Sequence, residues 1–125
     1  MGIQYFIFVG LGGACGSVAR ALLSVFVPTA TIWNTVLVNL TGALLIGALL
    51  KYSSGLSEPM FFRAFWMVGV CGGFTTFSTF GLELVELLQS GNLWRSALYV
   101  SLNFLGTLLF ILVGFRIGDH FSQTS

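Results

Sequence analysis

Four times along this chain, over residues 3–19, 32–50, 64–82 and 96–115, the sequence runs on without a charged residue. A stretch of that length and apolarity is long enough to cross a bilayer as a helix, which satisfies its own amides and carbonyls where no water is at hand. Composition agrees: 56% of the residues are hydrophobic and 7% charged, with mean hydropathy +0.96, values outside the range of a soluble domain. The expected fold is an all-α membrane protein with four transmembrane helices in one domain, spanning about 3–27, 32–50, 64–88 and 95–115. A chain of 125 residues leaves no room beside them for a soluble domain. The net charge of +1 speaks against nucleic acid as a partner. The opening residues MGIQYFIFVG lack the basic leader of a signal peptide and are expected to be a retained first helix.

Residues 69–83, GVCGGFTTFSTFGLE, interrupt the third span. Gly69, Gly72 and Gly73 each disfavour a helix interior by about 1 kcal/mol relative to alanine. The adjacent Thr75 and Thr76 favour local side-chain to backbone bonding. A break is expected at residues 72–75. Within a bilayer, broken backbone survives only where protein buries it or a polar cavity meets it, so the break marks a site. It also makes two half-helices: the first ends in carbonyls that suit a cation, and the second begins with amides that suit an anion.

The remaining polar residues fall at helical spacing. In the first span Gly12 with Gly16, and Gly13 with Ser17, are small residues four apart that allow close helix approach. Arg20 is a charge inside the span, and such a group faces a polar cavity or a partner, or snorkels to the interface. Cys15 and Cys71 lie within spans and read as packing residues, with no disulfide or metal framework. Pro28 and Thr29 mark a turn, and KYSSGLSEPM a short interfacial loop, before Arg63 opens the third span. Thr35 and Asn39 share a face of the second span, where an asparagine either joins helices or faces a path. Phe77, Phe80 and Glu83 follow in steps of three along one side of the second half-helix, interleaved with Ser78 and Thr79. Gly91 stops that helix, and in the fourth span Tyr99, Asn103 and Thr107 form a polar stripe. The tail RIGDHFSQTS is polar and expected to fray, with His120 solvated.

Four spans put both termini and the central loop on one side. Lys51, Arg63 and Arg116 then stand there against Arg20 and Arg95 on the other side, almost no bias, although a clear excess normally sets orientation. Such a chain can insert both ways up, and because a four-helix unit fills its own interior with side chains, a solute path has to form against a partner. An antiparallel homodimer satisfies both conditions.

With these residues in view, the chain resembles the Fluc (CrcB) family of small bacterial fluoride channels over essentially its whole length. The carrying motifs are GGACGSVAR, VNLTG, GVCGGFTTFSTFGLE and the stripe of Tyr99, Asn103 and Thr107. Arg20 matches the family's arginine, Asn39 its pore asparagine, Phe77 and Phe80 its paired phenylalanines, and Tyr99 its fourth-span tyrosine. Two departures are Ala21, where an aromatic is common, and Asn103, where members can carry serine. The resemblance implies a dual-topology antiparallel homodimer with two pores in the bacterial inner membrane, giving passive, selective fluoride efflux. It implies a fluoride path of Asn39, Phe77, Ser78, Thr79, Phe80, Tyr99, Asn103 and Thr107, together with Arg20 and Glu83. It also implies a structural sodium ion on the backbone carbonyls of Gly72 and Thr75. The chemistry is compatible: a small, strongly hydrated anion needs close hydrogen-bond donors, and phenylalanine presents the positive edge of its quadrupole.

Two other readings compete. A small multidrug exporter is also a four-span protein of dual topology, but it needs a membrane carboxylate, and the first span has no acid; Glu83 and Glu86 lie near a boundary, where Glu83 can pair with Arg20. A structural subunit of a larger complex would use its polar residues only to join helices. An enzyme is disfavoured by the lack of a membrane-embedded nucleophile with a base, an aspartate pair or a metal-ligand cluster.

Overall fold

The computed structural model describes residues 1–27 and 31–122, and among them it is entirely helical outside short connections. Helix α1 covers Ile3–Phe26 and α2 Thr31–Ser53; the turn expected at Pro28 and Thr29 lies outside the described residues. The third span, Met60–Gln89, is composite. It opens with a turn of α-helix, α3 (Met60–Arg63), and widens into a π-helical stretch, Ala64–Cys71. It then tightens again in α4 (Gly72–Phe74) and, beyond the break, resumes as α5 (Phe77–Gln89). Helix α6 is Leu93–Ser122. All four spans are long and apolar enough to cross a membrane.

Local chemistry sets most of the boundaries. Pro59 stands immediately before α3, a position where its missing N–H costs nothing. Arg63 ties the start of the third span to the end of α2 by donating from Nε to the Ser53 hydroxyl at 2.8 Å. Gly91 supplies the positive φ of 75° that turns the chain between α5 and α6, and Asn92 Oδ1 accepts the Arg95 N–H at 3.0 Å to start α6.

Three boundaries differ most from expectation. The third span begins at Met60 rather than residue 64, on the turn that follows Pro59. Helix α2 runs to Ser53 rather than residue 50, and α6 to Ser122 rather than residue 115, so the tail expected to fray is helical that far. Tertiary contacts explain the extension, since Lys51 Nζ lies 3.5 Å from Asp119 Oδ1 and 5.3 Å from the Phe115 ring centroid.

The helices pack as two pairs. Helix α1 lies on residues 60–74, and α2 lies along α6, with α5 folded against α6. Both pairs meet backbone to backbone at glycines: a Cβ on Gly12 or Gly16 would collide with the carbonyl of Phe65 or Val70, and one on Gly114 with that of Leu44. A small apolar core of Ile32, Val36 and Tyr99, joined by Phe80 and Leu84, fills the junction of α2, α5 and α6. Most other large apolar side chains point outward, as lipid-facing residues do.

Candidate functional site at the helix break

The break falls at Thr75 and Thr76, whose backbones are extended (φ −77°, ψ 160° and φ −150°, ψ 116°). This corrects the expected position at residues 72–75 by moving it toward α5. The glycines are not the point of rupture because Gly73 is needed inside a helical turn, where a Cβ would collide with the Gly13 carbonyl of α1. The threonines break instead, and side chains replace the helical bonds they forfeit.

Every polar group of Thr75 and Thr76 has a named partner. Thr75 closes the first half, its N–H and its hydroxyl both donating to the Cys71 carbonyl at 3.0 and 2.9 Å. In an unbroken helix the Thr76 N–H would bond the Gly72 carbonyl; here it donates to Asn39 Oδ1 at 2.9 Å, while Asn39 Nδ2 donates to the Thr76 carbonyl at 3.2 Å. The Asn39 amide thus grips one peptide residue at both polar groups. From α1, Arg20 Nη1 donates to the Thr75 carbonyl at 3.2 Å and the Ser17 hydroxyl to that of Gly73 at 3.4 Å. Thr76 then caps α5, its Oγ1 accepting the Thr79 N–H at 3.2 Å and donating to Thr79 Oγ1 at 3.0 Å.

Beyond the cap stand the rings and the polar stripe. Phe77 and Phe80 lie 5.5 Å apart between centroids, inclined at 45°, and Phe80 lies 5.4 Å from Tyr99 at 35°. The two phenylalanines differ in surroundings: Phe80 packs on the core, whereas Phe77 is 82% exposed in the single chain. The buried Tyr99 hydroxyl donates to the Glu83 carboxylate, itself only 7% exposed. Asn103 Nδ2 donates to the Tyr99 carbonyl at 3.0 Å, and Asn103 Oδ1 accepts from Asn39 Nδ2 at 2.9 Å.

Two hollows meet at the break. A mainly apolar cavity of about 510 Å³ is bordered by Gly72, Thr75, Thr76, Phe77, Phe80, Asn39, Asn103 and Thr107. A more polar one of about 280 Å³ lies on the α1 side, bordered by Ser17, Arg20, Asn34, Thr35, Thr76 and Thr79. Asn34 Oδ1 is buried and has no hydrogen-bond partner among the described residues.

The structure gathers the expected residues with one rearrangement. Asn39, Phe77, Phe80, Asn103 and Thr107 share the larger cavity, and Arg20 and Thr79 the smaller. Ser78 and Thr79 sit exposed on the first turn of α5, and Tyr99 and Glu83 lie behind Phe80 as a buried pair. Of the alternatives left open for Arg20, the pair with Glu83 does not form, because Arg20 is drawn to the opened Thr75 carbonyl and Glu83 to the tyrosine hydroxyl. Glu83 is accordingly buried within the protein rather than extended into the surroundings. Thr76 carries more of the site than its sequence context suggested; the signal available was its position three residues before Thr79 at the start of an apolar helix.

Fold and site together define a multi-pass helical membrane protein whose third span is broken between two hollows. Residues 7–115 match the family described as CrcB-like protein, Camphor Resistance (CrcB), and the chain belongs to that family. It is 38% identical over 122 residues to the Fluoride-specific ion channel FluC of Thermus thermophilus, covering 94% of this chain and 96% of the relative. To the protein of the same name from Rhodospirillum rubrum it is 37% identical over 121 residues, covering 90% of each. The Bacteroides fragilis protein of that name is 36% identical over 122 residues, covering 92% of this chain and 96% of the relative.

Proposed function

We propose that this protein is a fluoride-selective channel of the bacterial inner membrane that lets the anion leave passively. The carrying observation is the meeting, at one broken point of a membrane span, of the α5 amino terminus, the Phe77 and Phe80 rings and the polar stripe of α6. An anion enters the smaller hollow, where Arg20 supplies the positive charge and Thr79 a hydroxyl that is free to donate. It then passes the first turn of α5, where Ser78 and the unpaired N–H groups favour negative charge. Ring edges of Phe77 and Phe80 face it without the tight hold of a full charge. Thr107 and the asparagines continue the path in the larger cavity. Weak contacts in series allow release as well as entry. Short donors around a narrow route favour the smaller, more strongly hydrogen-bonding halide over chloride.

The proposed assembly is an antiparallel homodimer in a lipid bilayer, with two pores. The outward-facing Phe77 and the apolar cavity beside it suit a second copy of this chain, and the even spread of basic residues suits insertion in both orientations. A sodium ion fits the opened backbone. The Gly72 carbonyl has lost its Thr76 partner to Asn39, and the Thr75 carbonyl, though bonded by Arg20, keeps a second lone pair. Both residues border the larger cavity, and a twofold would bring the same two carbonyls from the partner. Carbonyl oxygens without carboxylate charge suit a monovalent cation. Bound there, sodium would neutralise the break and join the copies.

The test is efflux from liposomes containing only this protein, with fluoride and chloride measured in parallel. Rapid fluoride loss with chloride retained is expected, and equal loss of both would refute selectivity.

A further inference from the structure

Among the residues of the stripe, Asn103 makes a contact that the path alone does not require. A side-chain amide offers two N–H donors and one acceptor oxygen. Asn39 has committed both donors, one to the Thr76 carbonyl at 3.2 Å and one to Asn103 Oδ1 at 2.9 Å, and its oxygen accepts the Thr76 N–H at 2.9 Å. Asn103 in turn donates to the Tyr99 carbonyl at 3.0 Å. The direction of this line is forced. Turning the Asn39 amide over would set its NH2 against the Thr76 N–H. Turning Asn103 over would set its NH2 against that of Asn39 and its oxygen against the Tyr99 carbonyl. The far end is anchored, because Tyr99 is buried in the core with its hydroxyl bonded to Glu83.

We infer that Asn103 is a positioning residue for conduction: acting through the Asn39 amide, it holds the Thr76 peptide open and leaves Asn39 no free N–H for the anion. The inference rests on the channel reading above and refines it. Asn39 borders the path as part of a clamp, and stripping water from fluoride falls to the hydroxyls and first-turn amides of α5. Serine at residue 103 would sever the line while staying polar, since its short hydroxyl bonds back to its own helical turn. One Asn39 N–H would then be released toward the cavity.

The experiment uses the full chain in liposomes and in detergent. Fluoride efflux is measured for Asn103→Leu, Asn39→Ala and the double variant, and the side-chain amides of 15N-asparagine protein are followed by NMR as fluoride is added to the unaltered chain and to Asn103→Ser. If the line acts as a unit, each single variant slows efflux about tenfold and the double variant is within about twofold of the slower single. The Asn39 side-chain resonances of the unaltered protein stay in place as fluoride is added, and in Asn103→Ser one of the two protons moves. Should the leucine variant not fold, the amide titration decides alone. Fluoride flux in the unaltered protein with losses that multiply, or an Asn39 amide there that moves with fluoride, overturns the relay and leaves the channel standing. No fluoride flux in the unaltered protein overturns both.

Discussion

The two halves of the third span are held by different forces. Residues 60–74 lie on α1 through contacts of glycine with backbone, where Gly12, Gly16, Gly69 and Gly73 leave no room for a side chain. Residues 77–89 share an apolar core with α2 and α6 through Phe80 and Leu84, and to it they add directed polar bonds: the Thr76 cap, the Asn39 grip on the peptide before it, and the bond between Tyr99 and Glu83. Close packing is indifferent to charge and tolerates no change of volume. Polar bonds tolerate small changes of volume and no loss of a partner. The first half is therefore a scaffold, and the second carries the hydrogen-bonding groups that the proposed path would use. The break lies at the seam between them.

The sharpest way to break this contrast is to add volume to the scaffold. Gly16→Val would drive a side chain into the Val70 carbonyl and the Phe74 amide, destabilising the protein by about 3 kcal/mol or more. A large drop in the detergent melting temperature, or loss of the folded species, is expected; an unchanged melting curve would mean that α1 does not sit as described.

The second half should respond to partners more than to volume. Tyr99→Phe is nearly isosteric yet leaves the buried Glu83 carboxylate without its donor, a loss of about 1–3 kcal/mol. Glu83→Gln keeps an acceptor for the tyrosine hydroxyl and should cost less. Finding the glutamine variant the less stable of the two would reverse this ordering. Thr76→Ala removes the cap of α5 at about 1 kcal/mol, and Thr76→Ser should restore most of it. Equal melting temperatures for alanine and serine would show that the hydroxyl does not cap.

The same contrast explains what the sequence made legible. The four spans could be read because a charge-free run of that length has one stable form in a bilayer, and the stripe of Tyr99, Asn103 and Thr107 because spacing of four defines a helix face. The break was legible as an event but misplaced toward the glycines, since their role against α1 is a tertiary demand that local propensity does not carry. Nothing in AFWMVGVC distinguishes a π-helical stretch from an α-helical one. Arg20 could be recognised as needing a partner, but the opened Thr75 carbonyl that takes it exists only once the break has formed. Helix α6 continues past residue 115 on contacts with Lys51 that lie far away in sequence.

The central claim, that the second half carries the ion, is tested most directly by efflux from liposomes bearing Phe77→Ile. Phe77 is 82% exposed in the single chain, so isoleucine should leave the fold of each copy intact while removing the ring edge offered to the anion. The account predicts that the unaltered protein releases fluoride and retains chloride, and that Phe77→Ile, assembled and melting as the parent does, releases fluoride at least about tenfold more slowly. Fluoride release by the variant at the parent's rate, or chloride release by the parent alongside fluoride, would contradict it.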